Sequence, residues 1–264
     1  MKIGVCGASG RMGRAVLLNA LDRSLTVAGA FEWSGCPHLG RDAGELIGRQ
    51  VIGTVLTTLT QEGVAACDVI VDFSSPDATL RLIDMALAEK KALVICTTGL
   101  DEAARAKIHD ASKHIPVVYS GNMSIGVNLM MKLAGEAAKV LNEWFDVEVL
   151  EAHHRKKKDS PSGTALMLVD AVKKALPRLA NGKEVRGRDG IVGERTDDEI
   201  GVCAIRGGDI VGEHTVFFIG SEERIEITHR AQNRELFAKG AFRAAEFIAN
   251  KTPGLYTMTD VLGL

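Results

Sequence analysis

Residues 2–23 read KIGVCGASGRMGRAVLLNALDR. A short apolar run enters a glycine-rich turn, and apolar residues at helical spacing leave it. The glycines of residues 7–13 follow G-x-x-G-x-x-G rather than the commoner G-x-G-x-x-G. Without Cβ atoms, such a turn lets backbone N–H groups approach a pyrophosphate at the helix N-terminus. Taken alone, it also suits any strand-to-helix connection. Its surroundings favour the nucleotide: LTVAGAF (25–31) reads as the next strand, and Glu32 ends it, 19 residues beyond Gly13. A carboxylate at that point would accept hydrogen bonds from an adenosine ribose.

Outward from this turn the strand–helix alternation repeats. DVIVDF (68–73), ALVICTTG (92–99) and IPVVYS (115–120) are further apolar runs. Helical patterns separate them, one of which opens with serine before proline at residues 75–76. Continuous apolar strands between helices predict a parallel sheet covered on both faces, a Rossmann-like α/β domain. Its later strand ends, CTTG (96–99) and SGNMS (120–124), would line the nicotinamide half of the ligand. After Asn122 the pattern changes. A helix over 125–141, a strand over 145–154 and a helix over 161–176 precede three strand patterns, GVCAI, TVFFI and RIEITHR, with antiparallel pairing expected. The reading is a dinucleotide-binding domain over 1–123 and an α+β substrate domain over 124–233 with a mixed or antiparallel sheet. A C-terminal helical segment, 234–264, is expected to pack back on the first domain, and closure is expected about hinges near Asn122 and Asn233.

Composition excludes several classes. The chain of 264 residues carries a net charge of −2, so binding to a nucleic acid would need a local patch. No apolar run is long enough for a membrane span, and MKIGVCG lacks the features of a signal peptide. Five cysteines without a C-x-x-C pair predict reduced thiols, no zinc site and a cytoplasmic location.

The densest chemistry lies in EAHHRKKKDSPSGTA (151–165). Three readings compete: a solvated charged loop, a nucleic-acid patch, and a site for a small polyanion. The run is short and lacks interleaved aromatic residues, which disfavours nucleic acid. A small dicarboxylate suits the third reading. Lysine and histidine would meet it from one side, and the Gly163 and Thr164 amides with the Ser162 and Thr164 hydroxyls from the other. Histidine can also donate a proton near neutral pH. Neighbouring cations depress its pKa and a bound dianion raises it, so substrate binding would itself charge the acid.

These segments, with DFSSPDAT, RGGDIVGEHTV and ERIEITHRAQNRELFAKGA, resemble the bacterial dihydrodipicolinate reductase (4-hydroxy-tetrahydrodipicolinate reductase) family over nearly the whole chain. The resemblance implies reduction of 4-hydroxy-tetrahydrodipicolinate by NADH or NADPH on the diaminopimelate route to lysine. It implies His153 as proton donor and Lys157 as its assistant and a substrate ligand, with His154, Gly163 and Thr164 also at the substrate. It matches Gly7, Ala8, Ser9, Gly10, Arg11, Met12, Glu32, Cys96, Thr97, Thr98, Ser120, Gly121, Asn122 and Met123 to the cofactor, and implies a homotetramer formed through the substrate-domain sheets. Two positions depart from the family. Trp33 stands where many members carry an arginine able to pair with a 2′-phosphate, so Glu32–Trp33 predicts a preference for NADH that Arg11 can moderate. Cys96 replaces a common glycine. Two alternatives remain at this level: a non-catalytic dinucleotide-sensing regulator on the same fold, and a semialdehyde dehydrogenase, whose nucleophile in the second half could only be Cys203.

Overall fold

The computed structural model describes residues 1–142 and 145–264. The chain forms two compact units, Met1–Ile125 with Glu235–Gly263, and Gly126–Arg234. The first begins with β1 (Lys2–Cys6), α1 (Arg11–Asp22), β2 (Thr26–Glu32), α2 (Ala43–Leu46), β3 (Leu56–Thr58) and α3 (Gln61–Ala65). It continues through β4 (Val69–Asp72), α4 (Pro76–Glu89), β5 (Ala92–Ile95), α5 (Glu102–Ser112) and β6 (Pro116–Tyr119). Next come α6 (Ile125–Leu141), β7 (Asp146–His153), α7 (Gly163–Ala175), β8 (Lys183–Val185), β9 (Glu199–Arg206), β10 (Gly212–Ile219) and β11 (Arg224–Ala231). The chain then returns to the first unit as α8 (Glu235–Ile248), β12 (Gly254–Tyr256) and α9 (Met258–Leu262).

The first unit holds a seven-stranded parallel sheet in the order β12-β6-β5-β4-β1-β2-β3. Every residue of β4 and β5 is buried, as unbroken apolar strands require when both faces are covered. The strands are parallel, so the loops after β1, β2, β4, β5 and β6 all leave from one edge. β1 lies between β2 and β4, which makes its carboxyl end the point where strand order reverses. Ser75 caps α4 by accepting from the Ala78 amide, and Pro76 occupies its first turn.

The C-terminal segment is richer than a single helix. α8 buries Ala238, Ala241, Phe242, Ala245 and Ile248 in the same core as Val16 and Leu17 of α1. β12 then adds a seventh strand beside β6. Its three residues give too short a pattern to read as a strand from sequence.

The second unit holds a five-stranded mixed sheet, β11-β10-β7-β9-β8. The expected antiparallel pairing holds for β10 and β11 but not between β9 and β10. β7 lies between those two, parallel to β9 and antiparallel to β10. Residues 207–211 are long enough to cross the intervening strand: two strand spacings are roughly 10 Å, well within the reach of five extended residues. One face packs on α6 and α7 through Met130, Ala134, Leu168, Val169 and Val172. The other, carrying Leu150, Cys203, Ile205 and Phe217, is not covered by a helix among the described residues.

Because Phe242 is fully buried against α1, Phe242→Ala should destabilise the first unit by about 3–5 kcal/mol. Denaturant unfolding measures this. A loss below about 1 kcal/mol would mean that α8 is not part of that core.

Candidate active site

The glycine turn is tightly packed and leaves no room for larger residues at Gly7 and Gly13. Gly7 has φ +77°, in the left-handed region, and a Cβ on Gly13 would overlap the Gly7 carbonyl oxygen. Gly10, at the N-cap of α1, offers no side-chain cap, so the first amides of that helix are not taken by a capping oxygen. Glu32 reaches back across the turn. Its Oε1 accepts from the Ser9 amide at 2.7 Å and the Ser9 hydroxyl at 2.8 Å, and its Oε2 accepts from the Trp33 amide at 3.3 Å.

A cavity of about 670 Å³ lies here, lined in part by Gly7, Ser9, Glu32, Trp33, Ser75 and Arg81. That volume suits a nucleotide moiety. Turn, uncapped helix end, acid and cavity together fit the diphosphate and adenosine ribose of a nicotinamide dinucleotide. Arg81 escaped the sequence reading, because an arginine within a helix pattern gives no signal of what its face meets.

The remaining expected cofactor positions follow β5 and β6 at the same sheet edge. Cys96 and Thr97 are buried, Thr98 is exposed, and burial raises the Cys96 thiol pKa well above its ordinary value. Thr97 donates to Asp72 at 3.0 Å, and Thr79 and Ser74 each donate to the same carboxylate at 2.5 Å. Asp72 therefore ties the ends of β4 and β5 to the start of α4. Ser120 donates to the Asn122 carbonyl at 2.8 Å and folds the Ser120–Met123 loop.

In the second unit, alternation along β7 turns Glu151 and His153 to the helix-covered face. Glu151 is 0% exposed and His153 8%. His153 Nδ1 lies 2.5 Å from Glu151 Oε2. Arg206, paired with His153 in the β7–β9 register, donates to both Glu151 oxygens at 2.7 Å, and the Ser162 amide donates to Oε1 at 2.9 Å. Burial opposes the charge on Glu151, but the bonds from Arg206, His153 and Ser162 outweigh it and hold the carboxyl below its usual range. Burial also lowers the His153 pKa. Glu151 pulls it back up, and Lys157 and Arg206 push it down, leaving it below the ordinary imidazole value.

His214 packs edge-on to His153, with ring centroids 5.2 Å apart. Burial, helped by the charge of His153, drives its pKa down to about 3, so it is neutral at physiological pH. A Cβ on Gly212 would come 3.1 Å from His153 Nε2, so glycine at that position keeps the nitrogen clear.

Lys157 donates to both oxygens of Asp159 at 2.8 Å. His154 is half-buried, and Gly163, exposed, and Thr164 open α7. The Ser162 hydroxyl departs from its expected place in a carboxylate cradle. It is buried, caps α7 by accepting from the Ala165 amide at 3.1 Å, and lies 3.1 Å from His214 Nε2. Cys203 lies on the opposite face of the sheet from Glu151, which removes it as a nucleophile beside His153. No helix among the described residues is long and apolar enough to cross a membrane, and none of their His, Cys, Asp and Glu side chains form a metal-binding group.

Comparison with known proteins identifies the family. The family model described as dihydrodipicolinate reductase, N-terminus, matches residues 1–123, and that described as dihydrodipicolinate reductase, C-terminus, matches residues 126–262. The chain is 47% identical to the 4-hydroxy-tetrahydrodipicolinate reductase of Trichlorobacter lovleyi, over 100% of this chain and 99% of that protein. It is also 47% identical to the enzyme of the same name from Geobacter metallireducens, with the same coverage. Among solved structures, dipicolinate-bound dihydrodipicolinate reductase from Paenisporosarcina shares the fold with a TM-score of 0.75 at 23% identity, over 98% of both chains. An amine dehydrogenase from Mycobacterium smegmatis aligns at a TM-score of 0.62 and 12% identity, over 98% of this chain and 95% of the other. With both halves matched and full-length relatives at this identity, the chain belongs to the dihydrodipicolinate reductase family.

Proposed function

We propose that the chain reduces 4-hydroxy-tetrahydrodipicolinate to tetrahydrodipicolinate, an NAD(P)H-dependent step of the diaminopimelate route to lysine. The observation that carries this reading is the Glu151–His153 pair: an imidazole anchored through Nδ1 in a buried carboxylate, with Nε2 kept clear by Gly212. Overall, the ring loses its 4-hydroxyl as water and gains one hydride and one proton.

The first unit would hold the dinucleotide through the Gly7–Met12 turn at the diphosphate, Glu32 at the ribose, and Cys96–Thr98 with Ser120–Met123 toward the nicotinamide. Within the turn, the Arg11 and Met12 amides at the start of α1 would face the anion, because those of Gly7, Ala8, Ser9 and Gly10 already donate within the protein. When bound, the reduced nicotinamide supplies the hydride. His153 supplies the proton from Nε2. Lys157, His154 and the Gly163 and Thr164 amides take the substrate carboxylates, and Lys157 exchanges its bond to Asp159 for one of them. A dianion beside His153 raises the imidazole pKa, so the substrate helps to charge its own acid.

We also assign the bare face of the second sheet to homotetramer contacts. Ile205 is 49% exposed there, beside Leu150, Cys203 and Phe217, a grouping that association would cover. Five free thiols fit a reducing cytoplasm.

The purified protein should oxidise NADH only when supplied with the condensation product of pyruvate and aspartate semialdehyde. His153→Gln should lower kcat by roughly 10²- to 10⁴-fold with little change in dinucleotide affinity. Retained kcat would remove His153 from the acid role.

Glu32 repels a 2′-phosphate and Trp33 offers it no cation, whereas Arg81 brings one into the same cavity. NADH should therefore be preferred only moderately in kcat/KM. A tenfold advantage for NADPH overturns this assignment.

A further inference from the structure

The expected roles of His153 and Lys157 leave Glu151 and Arg206 unexplained, although each makes four hydrogen bonds beside the imidazole. Glu151 Oε2 receives His153 Nδ1 and Arg206 Nη1; Oε1 receives Arg206 Nη2 and the Ser162 amide. Four donors fill the acceptor sites of one carboxylate. With guanidinium on both oxygens, that carboxylate is ionised and can only accept. The short contact to His153 is therefore satisfied in one way, with a proton on Nδ1. His153 Nε2 has no hydrogen-bond partner among the described residues.

We infer that Glu151, itself held by Arg206, is a positioning residue. It locks His153 in the Nδ1-protonated tautomer and thereby makes Nε2 the nitrogen that carries the reacting proton. This rests on the reading of His153 as proton donor.

The charged and titratable groups around the imidazole give Glu151 a second effect. His153 faces Glu151 on its own strand, Arg206 from β9, neutral His214 from β10, and Lys157 with its partner Asp159 from the following loop. Burial, Lys157 and Arg206 all work against a charged imidazole, and Glu151 is the group that works for it. Without the carboxylate the acid would hold its proton only at lower pH. Without Arg206 the same carboxylate would be free to hold the imidazolium as a tight ion pair and make it a reluctant donor. The pair together keeps the proton available and transferable.

The local sequence makes the arrangement. Glu-x-His on a strand puts both side chains on one face, the β7–β9 register brings Arg206 opposite His153, and the N-cap residue of α7 supplies the remaining amide.

Nitrogen-15 NMR of histidine-labelled protein tests this, with the His153 signals identified by their loss in His153→Gln. In the wild type the neutral ring should be protonated on Nδ1. In Glu151→Gln that tautomer preference should relax and the imidazole titration should move to lower pH. The alkaline limb of the kcat/KM profile should move down with it, because activity is lost once the acid is deprotonated. The same variant should lose roughly ten- to hundredfold in kcat, with the affinity for the dinucleotide unchanged. A wild-type ring protonated on Nε2 overturns the inference, and this reading does not depend on any variant folding. A folded Glu151→Gln protein whose titration and alkaline limb stay in place also overturns it, even while His153→Gln remains inactive. If His153→Gln keeps its kcat, the proton-donor reading falls and this inference falls with it.

Discussion

A charged carboxylate inside a protein persists only if donors replace all the water it has lost. Glu151 meets that condition by drawing on the β7 strand, the β9 strand and the N-cap residue of α7 at once. The second unit is organised around this requirement. β7 must sit centrally so that Arg206 can arrive from one neighbour and His214 from the other, and α7 must begin where the Ser162 amide points inward. In the mixed sheet β7 takes this place, parallel to β9 and antiparallel to β10.

The first unit solves a different problem, gathering several loops at one edge of a sheet without losing the fold. Parallel strands deliver their loops to one edge, and Asp72 binds those loops together at the centre of the sheet. Burial raises the Asp72 pKa against the bonds from Ser74, Thr79 and Thr97. Its hydroxyl partners hold it whichever protonation state it adopts, which suits a structural tie.

Much of this was legible in the chain itself. The turn at residues 7–13, the acid at Glu32 and the strand–helix alternation follow from glycine placement and apolar periodicity, which are local properties. The order of strands in the second sheet is not local. GVCAI and TVFFI are adjacent in sequence and look like a hairpin, yet β7 lies between them. For the same reason Glu151 passed unremarked beside the more conspicuous histidines and lysines, although Glu-x-His in a strand already implied two side chains on one face. Arg206 and His214 come from 55 and 63 residues beyond Glu151 in sequence, and no spacing rule reaches that far. Ser162 reads as a ligand in the sequence, whereas its hydroxyl is engaged in capping α7, the commoner duty of serine before a helix.

β12 and α8 come last in the chain, yet they complete the unit that the chain begins. Until residues 235–256 have been synthesised, β6 presents an open strand edge and the surface of α1 that will receive Phe242 remains wet. The second unit, uninterrupted from Gly126 to Arg234, has all its strands available sooner. On the ribosome, then, the order of assembly can invert the order of the sequence: the second unit can mature while the first still waits for its closing strand.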